Sequence, residues 1–293
     1  MSLQSKLESG KYVITCEVGP LKGTDIHEIE ENAELLKGKV DAANVTDQQS
    51  SVMRLGSLVT SHILVQKGLD PIYQVVCRDR NRIALQSDLL SAWVLGIKNV
   101  LSITGDLPQL GDHPEAMPVY DLDSVTLLQA ISKLNNGTDI NGNELKGKTS
   151  FFPGAVVKVE SDTEASMELQ IAKLERKVAA GARFIQTQAV YDAGHFAKFM
   201  KRVEKFKVPI LAGVIPLKSA GMARYMNSNV AGVFVPEELI QKMAEAPKED
   251  REKTGIQICA DLIKQLQPLC QGVHIMAIGW EKKVPDIIKA AGL

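Results

Sequence analysis

An α/β chain closed into a (β/α)8 barrel is the fold this sequence predicts, on three observations. Eight short apolar runs alternate with longer helical patterns along the 293 residues. Strands separated by helices pair in parallel, and at about this length closure into a barrel is the economical arrangement. Within several of the runs, side-chain alternation sets a less apolar face against an apolar one, as an interior and a helix-covered exterior require.

In chain order, strands are predicted at 12–18 (YVITCEV), 41–47 (DAANVTD), 72–78 (IYQVVCR) and 99–105 (NVLSITG). Four more follow at 152–158 (FPGAVVK), 183–189 (RFIQTQA), 208–215 (VPILAGVI) and 272–279 (GVHIMAIG). Between them lie helical patterns at 53–68, 80–96 and 162–181, the last opened by a cap-like S-D-T-E and closed by Gly181. An open doubly wound sheet is the alternative, but no G-x-G-x-x-G follows the first strand. The polar stretch 135–150, with Asn141-Gly142 suited to a tight turn, reads as a hairpin-like excursion before strand 5. A short helix is expected at 236–246, ahead of the charged start of a long helix. No segment has linker composition, so residues 1–293 read as one barrel domain.

Composition excludes several function classes. Hydrophobic residues make up 45% and charged ones 24%, with 34 basic against 35 acidic residues. That balance offers no footprint for nucleic acid. No run of about 18 apolar residues predicts a membrane span, and the start lacks a signal-peptide core. Cys16, Cys77, Cys259 and Cys270 show no C-x-x-C spacing, which argues against a metal site in this chain. Their scatter fits reduced thiols, and a cytoplasmic setting is expected.

Parity picks out the candidate chemistry. In the first strand Ile14, Cys16 and Val18 share one face, while Val13, Thr15 and Glu17 share the other. In strand 4, Leu101 and Ile103 oppose Ser102, Thr104 and Asp106; in strand 3, Tyr73, Val75 and Cys77 oppose Gln74 and Arg78; in strand 6, Phe184, Gln186 and Gln188 share a face. Polar residues gather toward the C-terminal ends, where such barrels carry their chemistry. The predicted mouth holds Glu17, Thr46, Gln74, Arg78, Asp106, Lys158 and Gln188. Water-facing strand ends are the plain alternative for any one of them, and the repeated parity favours the set. Glu17 and Asp106 stand out, because a short carboxylate cannot snorkel out of a barrel interior. His62 reads as structural. His274 leaves open whether it faces the helices or the mouth. Cys16 points away from Glu17 into the helix layer.

Several stretches together resemble the methylenetetrahydrofolate reductase family. They are T-C-E-V-G-P around Glu17, Asn44-Val45-Thr46, and Ile103-Thr104-Gly105-Asp106-Leu107-Pro108. Further along come Leu174-Glu175-Arg176-Lys177 running to Ala182, Phe184 to Gln188 with Tyr191-Asp192, Gly213-Val214-Ile215-Pro216, and Val235-Pro236. Their order and spacing cover nearly the whole chain. The resemblance implies hydride transfer from a reduced flavin to 5,10-methylenetetrahydrofolate, giving 5-methyltetrahydrofolate. It implies Glu17 as the acid that protonates the leaving N10. A carboxyl in a partly dry mouth suits that transfer. It implies Asp106 beside flavin and pterin, Gln188 as a pterin contact, and Thr46, Gln74, Thr104, Gly105, Arg176 and Lys177 as flavin-contacting positions. The flavin is expected as FAD, with FMN as the alternative.

The chain departs from the family pattern at Thr104 (an arginine there), Gln74 (a histidine) and Val156-Val157-Lys158 (Tyr-Pro-Glu). The stretch after Pro216, PLKSAGM, lacks the aromatic that stacks on nicotinamide or folate. The missing aromatic motivates the expectation that electrons arrive through a partner subunit, in which case a zinc or iron–sulfur partner would supply its own cysteine ligands. A homo-oligomer is compatible with the sequence. Competing readings are a pterin-binding methyltransferase barrel, a Lys158 Schiff-base aldolase, and a noncatalytic folate-binding or docking subunit.

Overall fold

The computed structural model describes residues 1–159, 163–230 and 232–293. Eight parallel strands close in sequence order into a barrel. They are β1 (Val13–Glu17), β2 (Ala42–Val45), β3 (Pro71–Val76), β4 (Asn99–Ile103), β5 (Phe152–Val157), β6 (Phe184–Ala189), β7 (Ile210–Val214) and β8 (Gly272–Ile275). Each sits inside its predicted run or within a residue of it.

The helices are α1 (Leu3–Glu8), α2 (His27–Leu36), α3 (Ser57–Lys67), α4 (Arg82–Val94), α5 (Ser124–Asn136) and α6 (Glu164–Ala179). They continue with α7 (Ala193–Val203), α8 (Ala220–Asn229), α9 (Glu237–Glu245), α10 (Arg251–Leu266) and α11 (Val284–Ala291). Several helix starts carry side-chain caps. Asn81 Oδ1 accepts from the amides of Ile83 and Ala84, and Asp123 forms a reciprocal capping box with Thr126. At α6 the cap is Thr163, whose hydroxyl accepts from the Ser166 amide at 3.1 Å. Ser161 and Asp162 of the predicted cap lie outside the described residues. The excursion before β5 is a minimal hairpin: α5 ends at Gly137, Thr138 bridges Glu144, and Gly142 takes the left-handed conformation.

Two apolar layers follow from strand alternation. Cys16, Val18, Ala43, Val45, Val157, Ile185, Val214 and Ile275 face outward into the helices. Tyr73, Val75 and Cys77 do the same against α4 and α5. The first inward positions, Val13, Ala42, Ile72, Leu101, Phe152, Phe184 and Leu211, fill the bottom of the barrel with Leu3 and Leu7 of α1. Gly154 must lack a side chain there, since a Cβ would fall 2.3 Å from the Phe184 ring.

The structure corrects the parity read for strand 4. Leu101 points inward, and the Ser102 hydroxyl donates outward to the Ser124 carbonyl of α5 at 2.8 Å. A serine that finds a backbone acceptor in the helix layer reads as interior-facing from alternation alone. All four cysteines are free and buried. Among the described residues, no helix is long and apolar enough to cross a membrane.

Candidate active site at the barrel mouth

Above the apolar bottom, the barrel interior turns polar. Asn44 and Gln186 exchange two amide hydrogen bonds across the lumen, 2.7 and 3.0 Å. Gln186 Nε2 also reaches Thr15 Oγ1 at 3.4 Å, and Thr15 Oγ1 lies 3.0 Å from His274 Nδ1. The other ring nitrogen of His274 faces Glu17, with Nε2 and Oε1 3.8 Å apart. Both side chains are buried, Glu17 at 7% exposure and His274 at 3%. Glu17 is therefore the last residue of β1 and stands on top of a hydrogen-bonded polar layer. His274, left open by the sequence, faces the interior because it is in register with Thr15.

Gln74 and Thr46 share this inward parity and are buried. The Thr46 hydroxyl is buried without a hydrogen-bond partner within the protein. Gln188 is half-buried. The β6–β7 register shifts between Gln186 and Ala189, so strict alternation stops there.

Asp106 differs from the sequence expectation. It sits three positions past the end of β4, is exposed, and is no interior carboxylate. With Thr104, Gly105, Leu107, Leu110, Tyr120, Leu122 and Asp123 it lines a cleft of about 530 Å³. Gly105 has φ +98°, and a Cβ there would run into Val76 and Arg78. Thr104 Oγ1 accepts from the Ser124 amide at 3.2 Å.

Arg78 is also no open mouth residue. Its guanidinium donates to both carboxylate oxygens of Asp79 (2.7 Å each), to Ser51 Oγ (2.7 Å) and to the carbonyls of Asp106 and Gln48. The Ser51 hydroxyl in turn donates to the carbonyls of Asp106 and Leu107. The loops after β2, β3 and β4 are thereby locked together. Sequence reasoning had no signal for this lock, because Gln48, Ser50 and Ser51 adopt positive φ without being glycine.

Lys158 is half-buried and packs over Gly232. Arg176 is exposed on the last turn of α6; burial raises the Asp123 pKa, but the Thr126 amide and hydroxyl, the Val125 amide and the Arg176 charge together outweigh it and hold it below the ordinary value. Lys177 turns inward between helices, where Nζ donates to the Val156 carbonyl of β5 at 2.7 Å. Burial, with Lys173 nearby, pushes its pKa down. Among the described residues no group of three His, Cys, Asp or Glu could hold a metal ion.

The comparisons with known proteins bear on this geometry. The family model for methylenetetrahydrofolate reductase matches residues 2–292. The chain belongs to the methylenetetrahydrofolate reductase family. One relative, methylenetetrahydrofolate reductase 2 of Schizosaccharomyces pombe, is 26% identical over 81% of this chain and 39% of its own length. The 5,10-methylenetetrahydrofolate reductase of Salmonella typhimurium is 26% identical over 71% of this chain and 65% of its own. The chain thus spans less than two thirds of either reductase. Among solved structures, an uncharacterized Clostridium thermocellum protein that binds two copies of 5-methyl-5,6,7,8-tetrahydrofolic acid superposes with a TM-score of 0.66. It is 15% identical and covers 99% of this chain and 97% of its own. At that identity the likeness shows the shared barrel.

Proposed function

We propose that this chain reduces 5,10-methylenetetrahydrofolate to 5-methyltetrahydrofolate with a bound flavin. The observation that carries the reading is Glu17. It is a buried carboxyl at the C-terminal mouth, on a polar interior layer, in a chain matched by the reductase family almost end to end.

The residues present fit a flavin. Thr46 offers an unpartnered buried hydroxyl, and Gln74 an amide of the same parity. The cleft beside Gly105 combines the apolar walls Leu107, Leu110 and Leu122 with Tyr120, which suits a flat, partly apolar ring system. Thr46, Gln74, Thr104, Gly105 and Asp106 would hold it, with Arg176 as the exposed cation for a phosphate. Lys177 would contribute only by giving up its bond to Val156. FAD is the preferred form over FMN, since a dinucleotide would use both mouth and cleft. When bound and reduced, the flavin supplies a hydride.

The chain's own residues do the rest. Glu17 donates a proton to N10 of the folate, so that the five-membered ring opens toward a cationic iminium. The Asp106 carboxylate offsets that positive charge, and Gln188 hydrogen-bonds the pterin. A partner subunit would supply the electrons to a flavin bound here. The segment after Pro216 supports this: Leu217 is buried and Lys218 donates to the Ile278 carbonyl, so neither offers a stacking ring.

The test is direct. The purified chain should release FAD by mass, and its reduced form should convert methylenetetrahydrofolate to methyltetrahydrofolate. Glu17→Gln should lower that rate about 10²–10⁴-fold. Flavin-loaded protein that makes no methyltetrahydrofolate would overturn the reductase reading. Unimpaired turnover in Glu17→Gln would overturn the acid assignment alone. Rapid, stoichiometric bleaching of the flavin by NADH without a partner would overturn the electron route.

A further inference from the structure

Helix α4 is apolar on both of its faces. The inner residues Leu85, Leu89 and Ala92 are buried against the barrel. The outer residues Ile83, Leu90 and Val94 are 74%, 37% and 84% exposed. With Ser87 they form one stripe, since positions 83, 87, 90 and 94 fall within a narrow arc of a helix of 3.6 residues per turn. The exposed residues between Ile83 and Val94 are Ser87, Leu90 and Ser91, so this face carries no charge. Asp88 turns aside to Arg80, 3.0 Å away. Other helices of the barrel differ: α6 exposes Glu168, Lys173 and Glu175, and α10 exposes Glu252, Lys253 and Lys264. A surface helix that is apolar all round, with its outer face stripped of charge, has the character of an interface core. Val59 of the neighbouring α3 is exposed as well.

The stripe is complementary to itself. Positions 83 and 94, and positions 87 and 90, are symmetric about a point between Asp88 and Leu89. Two such helices packed antiparallel across a two-fold axis set Ile83 of one copy against Val94 of the other, and Leu90 against Ser87. The central leucine thus meets a small residue, as ridges packing into grooves require. An isologous contact asks for this property of a single patch. The flanking charges agree. Lys98 is exposed one turn past Val94, with its ammonium 3.4 Å from the centre of the Trp93 ring. At the opposite end of α4, Asp121 accepts from the Arg82 amide and guanidinium. Antiparallel packing brings Lys98 of each copy toward Asp121 of the other.

We propose that the outer face of α4 is the contact between two copies of this chain, paired antiparallel about a two-fold axis. The stripe from Ile83 to Val94 is about 17 Å long at 1.5 Å per residue. That is small beside an obligate interface, so the dimer dissociates on dilution. The face lies on the flank of the barrel and leaves the mouth open in both copies. The inference therefore stands apart from the function proposed above.

Sedimentation velocity of the purified chain between about 1 and about 100 µM reads the association. A reversible monomer–dimer equilibrium is expected. Ile83→Glu and Val94→Lys each set a charge against an apolar side chain, and each should weaken dimerisation about tenfold or more. Both sites are exposed, and each new charge suits its own end of the helix, so melting at the dilute end should be unchanged. The two changes combined in one chain set the new carboxylate of each copy against the new ammonium of the other. The double variant should therefore dimerise more tightly than either single variant. A wild-type chain that stays monomeric across the range overturns the proposal, as does a dimer that neither single variant weakens. A double variant no tighter than the single ones overturns the antiparallel pairing.

Discussion

The Thr46 hydroxyl separates stability from binding at the scale of one residue. Its Oγ1 is buried and unpartnered, so the folded protein already bears the cost of dehydrating it. Thr46→Val should leave the ligand-free protein as stable as before, or up to about 1 kcal/mol more stable. Flavin affinity should fall about tenfold with the loss of one hydrogen bond worth about 1.4 kcal/mol. Thermal melts of the ligand-free variant and a flavin titration check the two halves. A marked loss of ligand-free stability would mean the hydroxyl is bonded within the fold. The Asn44–Gln186 pair should behave in the opposite way. Gln186→Leu strips a buried amide of its two bonds and should cost about 1–3 kcal/mol, and adding Asn44→Leu should recover part of that. A double-mutant cycle in urea that finds the two changes additive would refute the coupling. At this scale the sequence was a partial guide. Glu17, Thr46 and Gln74 were legible because the alternation of a buried strand is strict. Asp106 was not, because the chain leaves β4 at Ile103 and alternation carries no information beyond the strand end. His274 was ambiguous because its neighbours on the barrel wall, Thr15 and Gly213, lie far from it in sequence.

Among the secondary-structure elements, the strands were legible and the links between them were not. Eight apolar runs gave eight strands, since burial on both faces of a parallel sheet leaves a continuous signal. The lock of Arg78 on the loops after β2 and β4 depends on residues far apart in sequence, and nothing local marks it. Helix α6 carries a prediction that joins packing to charge. Lys177 of α6 places its amine on the Val156 carbonyl of β5, and burial lowers its pKa. The unfolded chain therefore holds this proton to higher pH than the folded one. Linkage then requires stability to rise with pH in the window just below the ordinary lysine value of 10.5, because the unfolded state binds more protons there. The stability of wild type relative to Lys177→Met should accordingly grow as pH is raised from neutral toward 10.5. Denaturant midpoints measured for both proteins across that range decide it, and a difference independent of pH would show that the amine is not held in the low-dielectric layer.

Over the whole molecule, the barrel divides stability from chemistry along its axis. The lower end is closed by α1, whose Leu3 and Leu7 complete the apolar layer of Val13, Ile72, Leu101, Phe152, Phe184 and Leu211. The plug is also tied by polar contacts: Asp70 accepts from the Leu3 amide at 3.0 Å and from Asn99 Nδ2 at 2.9 Å. The polar interior begins one layer higher and opens at the other end, where Glu17 stands. The two ends share strands but no side chains. Truncating Leu7 should therefore behave as a cavity in the core and nothing more. Leu7→Ala should lower unfolding free energy by about 2–5 kcal/mol, toward the lower figure because a six-residue helix can settle into the space. Turnover per folded molecule at a temperature below the shifted transition should be unchanged, as should flavin content. The opposite pattern is expected at the mouth, where Glu17→Gln removes turnover and leaves the urea midpoint within the change expected of one carboxyl-to-amide exchange. Chemical denaturation and single-turnover assays on both variants test the division. A Leu7→Ala protein that keeps its stability but loses turnover would mean that the plug and the mouth are mechanically coupled through the strands, and the separation along the barrel axis would fail.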